Sequence, residues 1–372
     1  MSGPSAVEPL WQAVRPVLLL AATATAAVEG ISAAGSTPAS RRSTAAADAE
    51  LLVQGPLGPR PHALPPLPAG VSPALISRVV LESLGLLERL LVVDLGCPIA
   101  PAVPHLRLPA AEGAGAAHCL SSGRALPPQR VRALLARGAL WGSRLPPAQP
   151  LLLAECVPGG TTTALGVLRG LGVEADGLVS GSLRLSAHGL KARLVRQGLA
   201  AAGLAAGCPG PGHEGKRDPI PVLAAVGDPM QPLAAGLALA LARRGGTVLL
   251  AGGSQMAAVL ALALALAAPE ERAGLAARIV LATTAWVAEE AESDLALLLQ
   301  RIGAHWGVTP RLEVAGLRFT ACRSEALRDY ERGYVKEGVG AGGFALLWQR
   351  LGHSPEALAR ACDAACRQLL GA

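Results

Sequence analysis

At 372 residues with 51% hydrophobic content, the chain is long enough for one large α/β domain or two ordinary ones, and has ample apolar material for a core. Aromatic residues make up only 2%, so the core must be packed from Ala, Leu and Val, and the stacking platforms of single-stranded nucleic-acid binders are disfavoured. The net charge of +6 is spread along the chain without a basic run, a modest bias toward anionic small molecules and not toward nucleic acid.

In chain order, residues 16–28 form an apolar, Ala-rich run like the hydrophobic part of a signal peptide. Arg15 alone supplies positive charge before it and a Gly/Ser/Thr segment follows, so a cytoplasmic chain is the expectation. Residues 55–68 are Pro-rich and read as a connector, 98–150 is irregular with scattered Pro and Gly, and 208–221 is a second Gly/Pro linker. Branched or Leu-rich runs predict strands over 90–94, 151–155, 220–226, 247–251 and 279–283. Ala/Leu-rich stretches predict helices over 161–171, 232–243, 255–267 and 291–302. The apolar stretch 247–268 imitates a membrane span, yet Gly252-Gly253-Ser254-Gln255 cuts it into a strand, a loop and a helix, each too short to cross a bilayer.

Strands alternating with helices predict an α/β fold: a parallel sheet flanked by helices, Rossmann-like and three-layered, with ligands at the loops beyond the strands' carboxyl ends. A main lobe is expected over about 70–320, with a smaller lobe built from the terminal segments 1–69 and 321–372 completing the site. The seven cysteines are scattered without Cys-x-x-Cys spacing and read as reduced thiols. Cys362 and Cys366 lie one helical turn apart, but no second pair accompanies them and His353 lacks ligand spacing, so they read as small helix residues. With the histidines isolated as well and no phosphate-binding Gly-x-x-x-x-Gly-Lys-Ser/Thr run, neither a metal nor a cofactor is expected.

Two glycine-rich segments led by a glutamate carry the chemistry: Glu155-Cys-Val-Pro-Gly-Gly-Thr-Thr-Thr163 and Glu337-Gly-Val-Gly-Ala-Gly-Gly343. Each places a carboxylate beside a bare-backbone loop that opens a helical stretch. Such a pairing suits a site that holds an anion on backbone N–H groups and moves a proton next to it, which points to an enzyme. Residues 338–343 also satisfy Gly-x-Gly-x-x-Gly, but too little chain follows for the βα unit and second strand of a dinucleotide site.

The two segments, together with Val179-Ser-Gly-Ser182, Lys191, Val226-Gly-Asp-Pro-Met-Gln-Pro232 and Leu250-Ala-Gly-Gly-Ser-Gln-Met256, resemble the nicotinate-nucleotide:dimethylbenzimidazole phosphoribosyltransferase-like proteins of cyanobacteria and archaea. Gly30-Ile-Ser-Ala-Ala-Gly-Ser-Thr-Pro38, Ala45-Ala-Ala-Asp-Ala-Glu50 and Val71-Ser-Pro-Ala-Leu-Ile76 fit the same group, so the resemblance spans most of the chain. The more distant bacterial enzymes of that name carry a similar Glu-Met-Gly-Ile-Gly-Asn-Thr-Thr segment, with Gly160 standing here in place of the Asn. Nor does the region Ala117-His-Cys-Leu-Ser-Ser-Gly123 show the Gly-x-Asp-Ile pattern of close relatives.

The resemblance implies transfer of the 5-phosphoribosyl group from nicotinate mononucleotide to a benzimidazole-type aromatic base in cobamide lower-ligand assembly. Adenine or another base is an alternative acceptor, and a non-catalytic mononucleotide-binding paralogue is the alternative role. It also implies a homodimer, with no nucleic-acid or membrane partner. By that resemblance Glu337 is the general base, with Gly338 and Gly340 leaving room for the aromatic base, the competing reading being a solvated glutamate in a Gly-rich helix cap. Gly159, Gly160, Thr161 and Thr162 form a phosphate cradle, the competing reading being an ordinary Thr-capped helix. Glu155 orients the ribose hydroxyls or steadies charge at C1′, unless it only bonds loop amides. Ser180, Gly181, Ser182 and Lys191 complete the phosphate site, or Lys191 is a surface residue. Gly252, Gly253 and Ser254 touch phosphate or ribose. Asp228 and Gln231 contact ribose or nicotinate, against an Asx turn as the competing view. Ser72 borders the base pocket or is a plain helix cap.

Overall fold

A computed structural model of the chain describes residues 9–109, 115–204 and 217–371. Within them, short apolar runs form a seven-stranded sheet: β1 Arg15–Leu20, β2 Leu91–Asp94, β3 Leu106–Arg107, β4 Leu151–Cys156, β5 Val248–Ala251, β6 Ile279–Thr284 and β7 Arg311–Ala315. The order is β3-β2-β1-β4-β5-β6-β7, and every neighbouring pair is parallel. The central strands are apolar along most of their length because helices cover both faces, as parallel sheets require, with polar residues such as Asp94, Glu155 and Thr284 kept to their carboxyl ends. The two faces are legible in the alternation. Val17 and Leu19, Leu151 and Leu153, Val248 and Leu250, and Ile279 and Leu281 enter one buried core. Leu18 and Leu20, Leu152 and Ala154, Leu249 and Ala251, and Val280 and Ala282 enter the other.

The chain runs outward from β1 to β2 and β3, then returns to the other side of β1 with β4 and continues to β7. The crevice between the carboxyl ends of β1 and β4 is therefore the point where strand order reverses, the place where open α/β sheets bind ligands. Helices Thr44–Gln54, Ala74–Ser83, Ala341–Arg350 and Pro355–Leu370, drawn from both ends of the sequence, gather on the second face.

Several elements differ from the sequence expectations. The apolar run at 16–28 holds β1, paired on both sides in mid-sheet. Residues 220–226 are not a strand but the helix Pro219–Val226, started by Asp218, whose side chain accepts from the Ile220 N–H, with Pro219 at the first helical position. A seven-residue apolar run is ambiguous by periodicity, and here the Asp-Pro start decides it. The 291–302 helix begins instead at Leu295, because the Asp294 side chain accepts from Leu297 N at 2.8 Å. The irregular stretch 98–150 contains a long helix, Pro128–Arg144. Gly138 and Gly142 weaken its helical signal but let it lie against helix Met230–Arg243: a Cβ on either would come within 2.4 Å of the Leu233 or Leu237 carbonyl oxygen. Residues 208–216 of the Gly/Pro linker, with Cys208 and His213, lie outside the described residues.

Candidate active site

β4 ends in Glu155 and Cys156 at the reversal point, and the glutamate is 4% exposed. Its Oε2 accepts from the Val157 N–H at 3.0 Å, and the Gln255 side chain also bonds it. The second glutamate segment is hung on this strand end by one backbone bond, Val339 N to the Glu155 carbonyl oxygen at 3.0 Å. That bond brings the two glutamates together from distant parts of the chain.

Glu337 sits in a nest of donors. Its Oε2 accepts from Thr284 N at 3.0 Å and Thr283 Oγ1 at 3.2 Å, and its Oε1 from Gly338 N and Gly342 N, both at 3.1 Å. The chain around it is strained: Val335, Lys336 and Val339 all have positive φ, at 65°, 64° and 53°, where β-branched residues are rare. A buried ion pair holds the segment, Lys336 Nζ to Glu290 Oε2 at 2.7 Å, with Lys336 Nζ also donating to the Leu183 carbonyl at 3.1 Å. Gly342 and Gly343 serve close packing on the sheet. A Cβ on Gly342 would meet the Thr283 carbonyl carbon at 2.2 Å, and one on Gly343 would meet Ala251 Cβ at 2.2 Å.

Burial pushes the Glu155 carboxyl up to about 8, with Glu337 and Asp228 adding like-charge repulsion. Burial also raises Glu337 to about 7, against the backbone N–H groups of Gly342, Gly338 and Thr284, which favour its charged form. Two carboxyls that burial pushes toward neutrality thus stand near enough to influence one another, a condition suited to general acid–base work.

They open onto a cavity of about 880 Å³. Of the residues expected at a site, Glu155, Gly159, Gly160, Thr161, Ser180, Gly181, Ser182, Gly253, Ser254, Ser72, Glu337 and Gly338 line it. The Ser180–Ser182 loop is built from within. Ser180 N donates to Ser254 Oγ at 2.9 Å, Ser180 Oγ to Glu290 Oε2 at 2.9 Å, and Ser182 Oγ accepts from Ala33 N at 2.8 Å. Lys191 is no surface lysine. It is 1% exposed, lies behind the wall with its Nζ on the Ser180 carbonyl at 2.8 Å, and burial lowers it to about 8. A Cβ on Gly181 would lie 2.9 Å from that ammonium, so the glycine lets the charge approach the loop from beneath.

Other expected residues stand outside the cavity wall. Asp228 starts helix Met230–Arg243, its Oδ1 accepting from Met230 N at 3.0 Å, and Thr163 Oγ1 donates to its Oδ2 at 2.5 Å. Gln231 Oε1 accepts from Asp228 N, so both residues serve the capping turn and neither lines the cavity. Thr162 is fully buried behind the loop and its hydroxyl lacks a partner. The N–H groups of Gly160 and Thr162 are used within the turn, on Val157 O at 2.9 Å and Gly159 O at 3.0 Å. Gly252 bonds Ala282 O at 2.8 Å, and Gly340 abuts Ala154 Cβ.

The sequence reading missed Asp48, Arg60, Arg184 and Gln255 on the cavity wall, and Lys336 as the clamp of the strained segment. A signal existed for Asp48, since an acidic residue inside Ala45-Ala-Ala-Asp-Ala-Glu50 is charge on a helix otherwise fit only for burial. Among the described residues, no group of three or more His, Cys, Asp or Glu side chains could hold a metal. No described helix is long and apolar enough to cross a membrane.

No family model matches the chain. It is 52% identical over 361 residues, 95% of this chain and 86% of the relative, to a UPF0284 protein of Prochlorococcus marinus (strain MIT 9313). The chain belongs to the UPF0284 family. It is also 44% identical over 334 residues to the UPF0284 protein alr0297 of Nostoc sp., covering 87% of this chain and 85% of that protein. Among solved structures, CobT from Thermus thermophilus matches with a TM-score of 0.55 at 20% identity, over 100% of this chain and 95% of that one. A second structure, described as a nicotinate-nucleotide-dimethylbenzimidazole phosphoribosyltransferase from the same organism, matches with a TM-score of 0.52 at 19% identity, over 100% of this chain and 94% of that one. This UPF0284 chain therefore shares the α/β fold of those enzymes. It also explains its own Gly160: a Cβ there would lie 1.9 Å from Gln255 Oε1, so Gln255 fills the space that a side chain at 160 would need.

Proposed function

We propose that this UPF0284 protein is a phosphoribosyltransferase that moves the 5-phosphoribosyl group from nicotinate mononucleotide to a benzimidazole-type base, a step in cobamide lower-ligand assembly. The observation that carries the reading is the pair Glu155 and Glu337. Burial pushes both toward neutrality, and both line one cavity with the Ser180–Ser182 loop, Glu155 from the end of β4 and Glu337 beside the end of β6, in a fold shared with CobT. Glu337 accepts the proton from the attacking ring nitrogen, whose lone pair forms the bond to C1′ as the bond to the nicotinate nitrogen breaks and its electron pair leaves with nicotinate. Glu155, which burial keeps protonated at neutral pH, orients the ribose hydroxyls from the same cavity wall by hydrogen bonding. The 5′-phosphate lies toward Gly159, Thr161, Ser180, Gly181, Ser182 and Ser254, with the Lys191 charge beneath.

Segments from both termini, among them Ser32, Thr44 and Asp48 at one end and Tyr334, Lys336 and Leu369 at the other, contribute to the same cavity, while β1 of the expected 1–69 lobe lies within the central sheet and not in a separate lobe. A cytoplasmic homodimer belongs to the same reading.

The test is incubation of the purified protein with nicotinate mononucleotide and dimethylbenzimidazole, benzimidazole or adenine, following nicotinate release, beside Glu337→Gln. Base-dependent release that falls by about 100-fold or more in the variant supports the transferase, a positioned base contributing roughly 10²–10⁴. Mononucleotide binding without release for any base would leave a binding protein.

A further inference from the structure

The cavity has a second acidic feature that the proposed transfer does not use. Asp48, on helix Thr44–Gln54, is 6% exposed and forms part of the cavity wall. Its Oδ1 accepts from Ser72 Oγ at 2.6 Å, and its Oδ2 from the Cys156 thiol at 3.4 Å. Ser72 and Cys156 line the same cavity. The cluster lies on the Glu337 side: Pro73, next to Ser72, reaches within 3.0 Å of where a Cβ on Gly338 would stand, and Ser77, one turn on, donates to the Val339 carbonyl at 2.8 Å. On the transferase reading, a heterocycle with its reacting nitrogen at Glu337 shares the cavity with Ser72 and Asp48, which are placed to meet another edge of its ring. An edge bearing only methyl groups would suit apolar lining. A carboxyl group there is costly to bury and is useful when the ligand brings a donor.

We propose that Asp48 is a specificity-determining residue of the acceptor site, and that the base carries a hydrogen-bond donor, an amino or hydroxyl group, on an edge away from the reacting nitrogen. This rests on the transferase reading for its orientation of the base. An ionised carboxylate has about four acceptor positions, and Ser72 and Cys156 occupy two. Burial raises Asp48 to about 6, so at neutral pH and above it is an acceptor only. A site built around such a group discriminates strongly, because a ligand lacking the donor leaves the carboxylate under-solvated.

The experiment compares matched acceptors, hydroxybenzimidazole against benzimidazole and adenine against purine, for wild type and Asp48→Asn. The readout is the ratio of kcat/KM within each pair. In the wild type the donor-bearing member is favoured by about tenfold or more, and in Asp48→Asn that ratio falls by about 10- to 100-fold. A purely structural role would lower both members together and leave the ratio unmoved, which overturns the proposal. Should Asp48→Asn not fold, the wild-type ratios decide alone, and a ratio near one in both pairs overturns it. If no base releases nicotinate, the transferase reading fails separately. Calorimetric affinities of the same pairs then carry the test, with equal affinities for donor-bearing and donor-free bases as the refuting result.

Discussion

Replacing Glu155 by Gln should stabilise the protein at alkaline pH, and by an amount that grows with pH. Glu155 is buried among acids, with Glu337 and Asp228 both raising it, and its folded value of about 8 stands above the ordinary 4.5. The folded state then holds a proton that the unfolded chain has already released, so wild-type stability falls as pH rises from the ordinary value toward 8 and levels off beyond. Each pH unit in that window is worth about 1.4 kcal/mol, so the full loss is on the order of 5 kcal/mol.

Glutamine does not titrate, and its partners are in place. Its oxygen can take the Val157 N–H, and once the Gln255 amide turns over, the new amide can donate to Gln255 Oε1, which is buried without a partner. Urea unfolding of both proteins at about pH 5, 6, 7 and 8, followed by tryptophan fluorescence, measures the difference. The variant is expected to gain about 2–4 kcal/mol on the wild type between the two ends of that range. A difference that stays constant across it, or a wild type that is the more stable at pH 8, would refute the claim that the folded carboxyl is held protonated.

Activity requires a deprotonated base, so the rate should rise with pH on an acid limb near pH 7, where burial places Glu337. Glu155 is still protonated on that limb, so the neutral Glu155→Gln should leave its position unchanged. A limb displaced toward lower pH would show that Glu155 is charged there and raises Glu337. Gly343→Ala should destabilise the fold by about 1–3 kcal/mol and depress activity, because its Cβ would come 2.2 Å from Ala251 Cβ and push helix Ala341–Arg350, with the Glu337 nest, off the sheet. Unfolding measurements alongside turnover check this, and a variant as stable and active as wild type would rule out the close-packing role of these glycines.

The parallel α/β class was legible because central strands covered on both faces read as plain apolar runs, and because Gly/Ser/Thr loops punctuate them at regular spacing. The glutamates at 155 and 337 were legible for a similar reason: a carboxylate beside bare backbone is costly unless it does something. Placement was not. β1 was set aside as a leader imitation and not read as a strand, because an isolated apolar run cannot show its neighbours, and only pairing with β2 and β4 makes it the centre of the sheet. Asp228 and Gln231 carried side chains suited to a ligand, but the turn of their own helix uses them first.

Asp48 shows the same limit from the other side, since its helix, Ser72 and Cys156 come from three separate parts of the sequence and meet only in the folded chain. Local chemistry thus determined which residues were capable of catalysis. The tertiary structure decided which of them face one cavity, because burial, repulsion and hydrogen bonding all depend on neighbours far away along the chain.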